Sequence, residues 1–200
     1  MNLPRVYPIV DSADWVARLL AHGARLIQLR IKDAPTSHLE AEIARARAHC
    51  RGAGAQLVVN DYWELALAAG CDFVHLGQGD LEGADVPALR RAGVRLGIST
   101  HDERERERAL ALDPDYIALG PIYPTTLKVM PWAPQGLARL GEWKRCIGRR
   151  ALVAIGGLTV ARLPQVFAAG ADVAAVVSDV VRAADPGQRI RQWLASAAAA

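Results

Sequence analysis

Short apolar runs in this 200-residue chain are followed, one after another, by groups that could bind or turn over an anion. LIQL leads to Arg30 and Lys32, QLVV to Asn60 and Asp61, and FVHL to Gln78 and Asp80. Ser99 closes RLGIS, and YIALG runs into a segment with Thr125, Thr126 and Lys128. ALVAI is followed by Gly156 and Gly157, and VAAVV by Ser178. The set holds three cations, two carboxylates and several neutral donors. It suits a phosphorylated ligand bound with a divalent metal, because carboxylate oxygens plus substrate phosphates are the usual way Mg2+ is held. A Gly-Gly turn ahead of Thr159 resembles a phosphate cradle of the kind found at helix N-termini. The segment IALGPIYPTTLKVMPWAPQG, residues 117–136, adds four prolines, a single lysine and no acidic residue. Stiffness presets its shape, and a lone amine beside hydroxyls favours an anionic ligand.

Each residue also has a plainer reading. Asp61 with Glu64 resembles the cap of a following helix, and Asp80 in GQGDL resembles a turn residue. Two carboxylates after adjacent strands favour a shared metal over two separate caps. Arg30 and Lys32 could be solvated strand ends, but alternation points both to one face. Thr100 with Glu103 has capping-box spacing, so capping does not account for Ser99. The Gly-Gly pair could be a tight turn; its place after the seventh strand favours phosphate. His75 in FVHL reads as a packed, hydrogen-bonded core histidine, and His101, Trp15, Trp143 and Trp193 carry no functional assignment.

The elements that must position these groups alternate. Eight apolar runs (5–10, 26–30, 56–60, 73–76, 95–99, 116–120, 151–156 and 173–178) are uninterrupted enough to be strands buried on both faces. Amphipathic segments lie between them. Ser37 with Glu40 has capping-box spacing. Three segments stop at Gly23, Gly70 and Gly170 just before a strand, where glycine can take the left-handed C-cap conformation. ERERER (103–108) reads as a solvated helix face, and the last helix falls near 186–197. This βα repeat predicts a single (β/α)8 TIM barrel spanning residues 1–200, with 196–200 a frayed tail. An open doubly wound sheet is the alternative, and the lack of GxGxxG after the first strand weakens a dinucleotide reading.

Composition sets the remaining bounds. Hydrophobic residues make up 52% and charged residues 22%, which is a globular rather than a disordered balance. A net charge of +3 without a basic block gives no reason to expect nucleic acid. No apolar run reaches membrane length and no signal peptide is apparent. Three scattered cysteines, Cys50, Cys71 and Cys146, fit a reducing compartment and a cytoplasmic location.

QLRIKD (28–33), VNDYWELA (59–66), HLGQGDL (75–81), LGISTHD (96–102), ALGPIYPT (118–125), APQGL (133–137), VAIGGL (153–158) and AVVS (175–178) occur in order, and the chain from about residue 5 to 182 resembles the thiamine phosphate synthase family. The resemblance implies a Mg2+-dependent transferase. Its reaction joins hydroxymethylpyrimidine diphosphate to thiazole phosphate and releases pyrophosphate by a dissociative route. It implies a pyrimidine diphosphate site at Gln28, Leu29, Arg30, Ile31, Lys32 and Asn60, with Ser99 and Lys128 adding contacts. Arg30, Ser99 and Lys128 form the implied catalytic set. Asp61 and Asp80 match the Mg2+ ligands. Thr125 and its neighbours Thr126 and Leu127 match the thiazole phosphate site, completed by Gly157, Val177 and Ser178. The implied partners are these two small phosphorylated substrates, with no nucleic acid, no membrane and a homo-oligomer left open. The family's lid reads Pro-Thr-x-Thr-Lys, whereas here Leu127 lacks the second hydroxyl. Gly79 replaces a more polar residue, and Trp132 adds a bulky lid side chain. A thiazole tautomerase-like relative would carry a histidine where Pro121 stands. A non-catalytic binder of thiazole or thiamine phosphate, and a sugar-phosphate isomerase, are further alternatives; the last would need an acid/base pair that does not stand out.

Overall fold

The structure, a computed structural model, describes residues 3–125 and 132–200. Eight parallel strands close into a barrel in chain order: β1 (Val6–Val10), β2 (Leu26–Leu29), β3 (Gln56–Asn60), β4 (Phe73–Leu76), β5 (Arg95–Thr100), β6 (Tyr116–Leu119), β7 (Ala151–Ala154) and β8 (Val173–Val176). β8 pairs back onto β1, with Tyr7 opposite Ala175. The helices α1 (Ala13–Ala21), α2 (Thr36–Gly52), α3 (Trp63–Ala68), α4 (Val86–Arg91), α5 (Glu103–Ala111), α6 (Gly136–Cys146), α7 (Leu163–Ala168), α8 (Ser178–Val181) and α9 (Pro186–Ala199) complete the (β/α)8 TIM barrel. None of the described helices is long and apolar enough to cross a membrane.

Strict alternation along the strands divides the apolar residues into two cores. Val6, Val10, Ile27, Leu29, Val59, Val74, Ile98 and Ile117 face outward and pack under the helices. Tyr7, Ile9, Leu26, Val58, Phe73, Tyr116, Ala118, Val153 and Ala175 face inward and fill the barrel. Both faces are buried, as an all-parallel sheet requires. Gly23, Gly70 and Gly170 take positive φ where three helices end, as the glycine pattern predicts, and Gly93 does the same after α4.

Three local expectations fail. Thr100 is not a cap: it is the last residue of β5, fully buried, and its hydroxyl donates to the Ala118 carbonyl (2.9 Å) and accepts from Trp143 Nε1 (3.0 Å). The cap of α5 is Asp102, which accepts from the Glu105 amide. Ser37 lies inside α2, which starts at Thr36 after Pro35 and has no side-chain cap. Asp61 does not cap α3, whose preceding residue Tyr62 makes no side-chain cap bond either. α9 runs through Ala199.

Candidate active site

A cavity of about 720 Å3 opens at the carboxyl ends of the strands, the end of this fold at which active sites are built. Its walls include Gln28, Arg30, Lys32, Asn60, Asp61, Asp80, Ser99, Thr125, Gly157, Val177 and Ser178, residues that lie far apart in sequence. Alternation explains the β2 contribution: Gln28, Arg30 and Lys32 point in, while Leu29 and Ile31 join the outer core beneath the helices and are absent from the wall. The side chains of Leu29 and Ile31 therefore hold the strand in place and do not reach into the cavity. Thr126, Leu127 and Lys128 lie outside the described residues.

Asp61 and Asp80 meet on one side of the mouth. Asp61 takes a positive φ of 63° directly after β3, and its carboxylate pairs with the Lys32 ammonium. Asp80 starts a single 3-10 turn and accepts from the Gly77 amide (3.1 Å). Its expected turn role is therefore real, but it also abuts Asp61. Partial burial, and then the neighbouring Asp61 carboxylate, push the Asp80 carboxyl above its ordinary value. One ammonium thus faces two carboxylates, which leaves an excess of negative charge and hard oxygens. Among the described residues no group of three or more His, Cys, Asp or Glu side chains could close a metal cage. A pair of carboxylates fits a Mg2+ ion that takes its other ligands from water and substrate phosphate.

Neutral groups line the floor. Asn60 is 4% exposed, and its Nδ2 has no hydrogen-bond partner among the described residues. A buried donor in that state is costly unless a ligand accepts from it. Gln78 Nε2 donates to the Ser99 carbonyl (2.8 Å). Beneath them Gln28, Tyr7, Tyr116, His75 and Ser99 are joined by successive contacts of 2.9, 3.0, 2.7 and 2.8 Å. Burial pulls the His75 imidazole down to about 4 and pushes both phenols up, so all three rings are neutral near pH 7. The expectation of a packed, hydrogen-bonded His75 holds, but the ring also reaches the cavity wall.

The opposite side is built from loops. Gly156 and Gly157 take φ of 97° and 65°. A Cβ on Gly156 would lie 2.6 Å from the Pro121 Cα, and one on Gly157 would lie 2.5 Å from the Pro124 carbonyl oxygen. The missing side chains let residues 121–124 run alongside β7, with Ile122 donating to the Ile155 carbonyl (2.9 Å) and Tyr123 to the Gly156 carbonyl (3.0 Å). Arg162 reinforces this corner by donating to the Gly157 carbonyl and stacking over Tyr123. Trp132 lines the cavity and stacks on His101, with ring centroids 3.8 Å apart and planes at 8°. Glu105 holds that imidazole through Nδ1 (2.8 Å).

Sequence reasoning missed Tyr7, Tyr116, His101 and Glu105. The first two were recoverable, because inward register at Ile9 and Ala118 places Tyr7 and Tyr116 on the same face. Nothing local announces the His101–Trp132 contact, which joins two different loops.

The family model for thiamine monophosphate synthase matches residues 6–180. A thiamine-phosphate synthase of Rhizobium etli is 59% identical over 198 residues, spanning 99% of this chain and 97% of that protein. One from Cronobacter sakazakii is 51% identical over 180 residues, spanning 90% of this chain and 86% of its own length. Among solved structures, a thiamine phosphate pyrophosphorylase from Pyrococcus furiosus superposes with a TM-score of 0.86 at 27% identity, covering 99% of this chain and 97% of that one.

Proposed function

Because the chain belongs to the thiamine monophosphate synthase family, we propose that it joins hydroxymethylpyrimidine diphosphate to thiazole phosphate, giving thiamine phosphate and pyrophosphate. One observation carries this reading beyond the family name: Arg30, Lys32, Asn60, Asp61, Asp80 and Ser99, drawn from four strand ends, face one cavity of about 720 Å3. That placement suits a ligand bearing several negative charges when it binds together with a divalent cation.

In the proposed reaction the bond between the pyrimidine methylene carbon and the diphosphate oxygen breaks. Its electron pair leaves with the diphosphate, and the thiazole nitrogen then bonds to the resulting carbon cation. Negative charge grows on the departing oxygens, where Arg30 and Lys32 hold it and Asn60 and Ser99 offer hydrogen bonds. Asp61 and Asp80 would hold Mg2+, which supplies charge neutralisation for the diphosphate. Gln28 would orient the pyrimidine. Thr125, Gly157, Val177 and Ser178 would hold the thiazole phosphate, so that the nucleophilic nitrogen waits beside the cation. By the family match, Lys128 would bind the departing diphosphate, and Thr126 and Leu127 would belong with Thr125 to the thiazole phosphate site. The stacked rings of Trp132 and His101 would form an aromatic wall that limits access of water to the cation.

The direct test mixes both phosphorylated precursors with the protein and Mg2+, then follows thiamine phosphate and pyrophosphate by mass spectrometry. Equimolar appearance of both, lost on chelation and restored by Mg2+, is expected. Binding of thiazole phosphate with no product formed would overturn the proposal in favour of a binding protein.

A further inference from the structure

The hydrogen-bond chain under the cavity has a direction. We propose that Tyr116 is a positioning residue: its hydroxyl fixes the tautomer of His75 and so makes the Ser99 hydroxyl a donor toward an anionic ligand oxygen in the cavity. The identity of that oxygen as diphosphate rests on the function proposed above.

One end of the chain is set by an amide. The Gln28 Nε2 group can only donate, and it donates to the Tyr7 hydroxyl oxygen at 2.9 Å. Tyr7 has one proton and one further partner, the Tyr116 oxygen at 3.0 Å, so it donates there. Tyr116 in turn has its proton left for His75 Nδ1 at 2.7 Å. An accepting Nδ1 in a neutral ring places the hydrogen on Nε2, which faces Ser99 Oγ at 2.8 Å. Ser99 therefore accepts from the ring and keeps its own proton to give. His75 is the only hydrogen-bond partner of Ser99 Oγ among the described residues, and Ser99 lines the cavity. A ligand oxygen entering the cavity is the acceptor that completes the series.

The opposite direction fails at the amide. If Ser99 donated to Nε2, the hydrogen on Nδ1 would turn Tyr116 and then Tyr7 around, and the Tyr7 proton would confront the Gln28 N–H group. That clash would set two donors against each other between side chains only 1% and 2% exposed, leaving a buried hydrogen bond unmade. The seat of Tyr116 is also specific. Its ring lies across Gly97, where a Cβ would fall 2.0 Å from Cζ, and it stacks on His75 at 5.5 Å between centroids.

The test has two arms. Long-range nitrogen–proton correlation spectra of the ligand-free protein report which His75 nitrogen carries hydrogen, with the signal assigned by its loss in His75→Gln. The Nε2–H form is expected in the unsubstituted protein, and a mixture of both tautomers in Tyr116→Phe. An Nδ1–H form in the unsubstituted protein would overturn the proposal whether or not the protein couples the two precursors. In the second arm, Ser99→Ala lowers kcat by about 10- to 100-fold, the effect of one hydrogen bond to a charged group, and Tyr116→Phe lowers it by less, because the molecules that keep the Nε2–H tautomer still present the Ser99 donor. The double variant is expected to be no slower than Ser99→Ala alone, because both act through one proton. Multiplying effects would show that Tyr116 acts independently of Ser99 and refute the assignment. If Tyr116→Phe does not fold, the tautomer of the unsubstituted protein still decides.

Discussion

Gly97→Ala should be among the most damaging single-methyl changes in this protein, although it looks conservative in sequence. Gly97 pairs with Tyr116 across β5 and β6, and its Cβ would sit 2.0, 2.3 and 2.6 Å from the ring atoms Cζ, Cε1 and Cε2. Carbon atoms in contact prefer about 3.5 Å, so the ring or the strand must give by about 1.5 Å. The ring has nowhere to go: Tyr116 is 0% exposed and is flanked by Tyr7, Phe73 and His75 at centroid separations of 6.0, 5.6 and 5.5 Å. Overpacking of this kind costs about 1–3 kcal/mol. A shift of that size also breaks the hydroxyl's bonds to Tyr7 and His75, at about 1 kcal/mol each. The sum is roughly 3–5 kcal/mol, which for a domain of this length lowers Tm by roughly 6–20 °C. Thermal unfolding followed by circular dichroism measures it. In a Tyr116→Leu background the same methyl meets no ring, so the added cost of Gly97→Ala should fall below about 1 kcal/mol. A Tm within 2 °C of the unsubstituted protein (roughly the shift of a surface change), or an equal cost in both backgrounds, would refute the packing argument.

Three other outcomes are expected. His75 is buried neutral with its ring held at about 4, below the ordinary value, so the unfolded chain binds its proton first as pH falls. Stability should therefore drop between about pH 6.5 and 4 by about 3 kcal/mol, a loss absent from His75→Gln in denaturant titrations at each pH. The Asp80 carboxyl is raised by partial burial and by Asp61, so its ionisation opposes folding as pH rises through the ordinary carboxylate range. Asp80→Asn should raise the Tm of the metal-free protein at pH 7 by about 1–2 °C, because the pair is partly screened by solvent. The same variant should lose Mg2+-dependent turnover; a lower Tm would show that the carboxylate repulsion is already compensated. Gly157→Ala places a side chain at φ 65° and 2.5 Å from the Pro124 carbonyl oxygen. It should destabilise by about 2 kcal/mol and raise KM for thiazole phosphate, leaving KM for the pyrimidine diphosphate within twofold, as initial-rate measurements would show.

The barrel was legible because its signals are local and repeated: apolar runs buried on both faces, and glycines that close helices before the next strand. The direction of Arg30 and Lys32 followed from alternation alone. Capping was misread at Ser37, Asp61 and Thr100 because spacing cannot tell a helix start from a strand end or the first turn of a helix. Thr100 has a tertiary use, with Trp143 43 residues away, and such a partner leaves no nearby trace. The Tyr7–Tyr116 bond spans 109 residues and was hidden for the same reason. Gly156 and Gly157 were expected to serve a phosphate; the structure gives them a further purpose, the close passage of residues 121–124.

That passage links two segments in inheritance as well as in space. The loop after β6 and the turn after β7 form one exchangeable module, since neither backbone fits without the other. Grafting the β6 loop of a relative onto this barrel should succeed only when the paired glycines travel with it. Substrate range at this corner would then evolve by joint replacement of both segments.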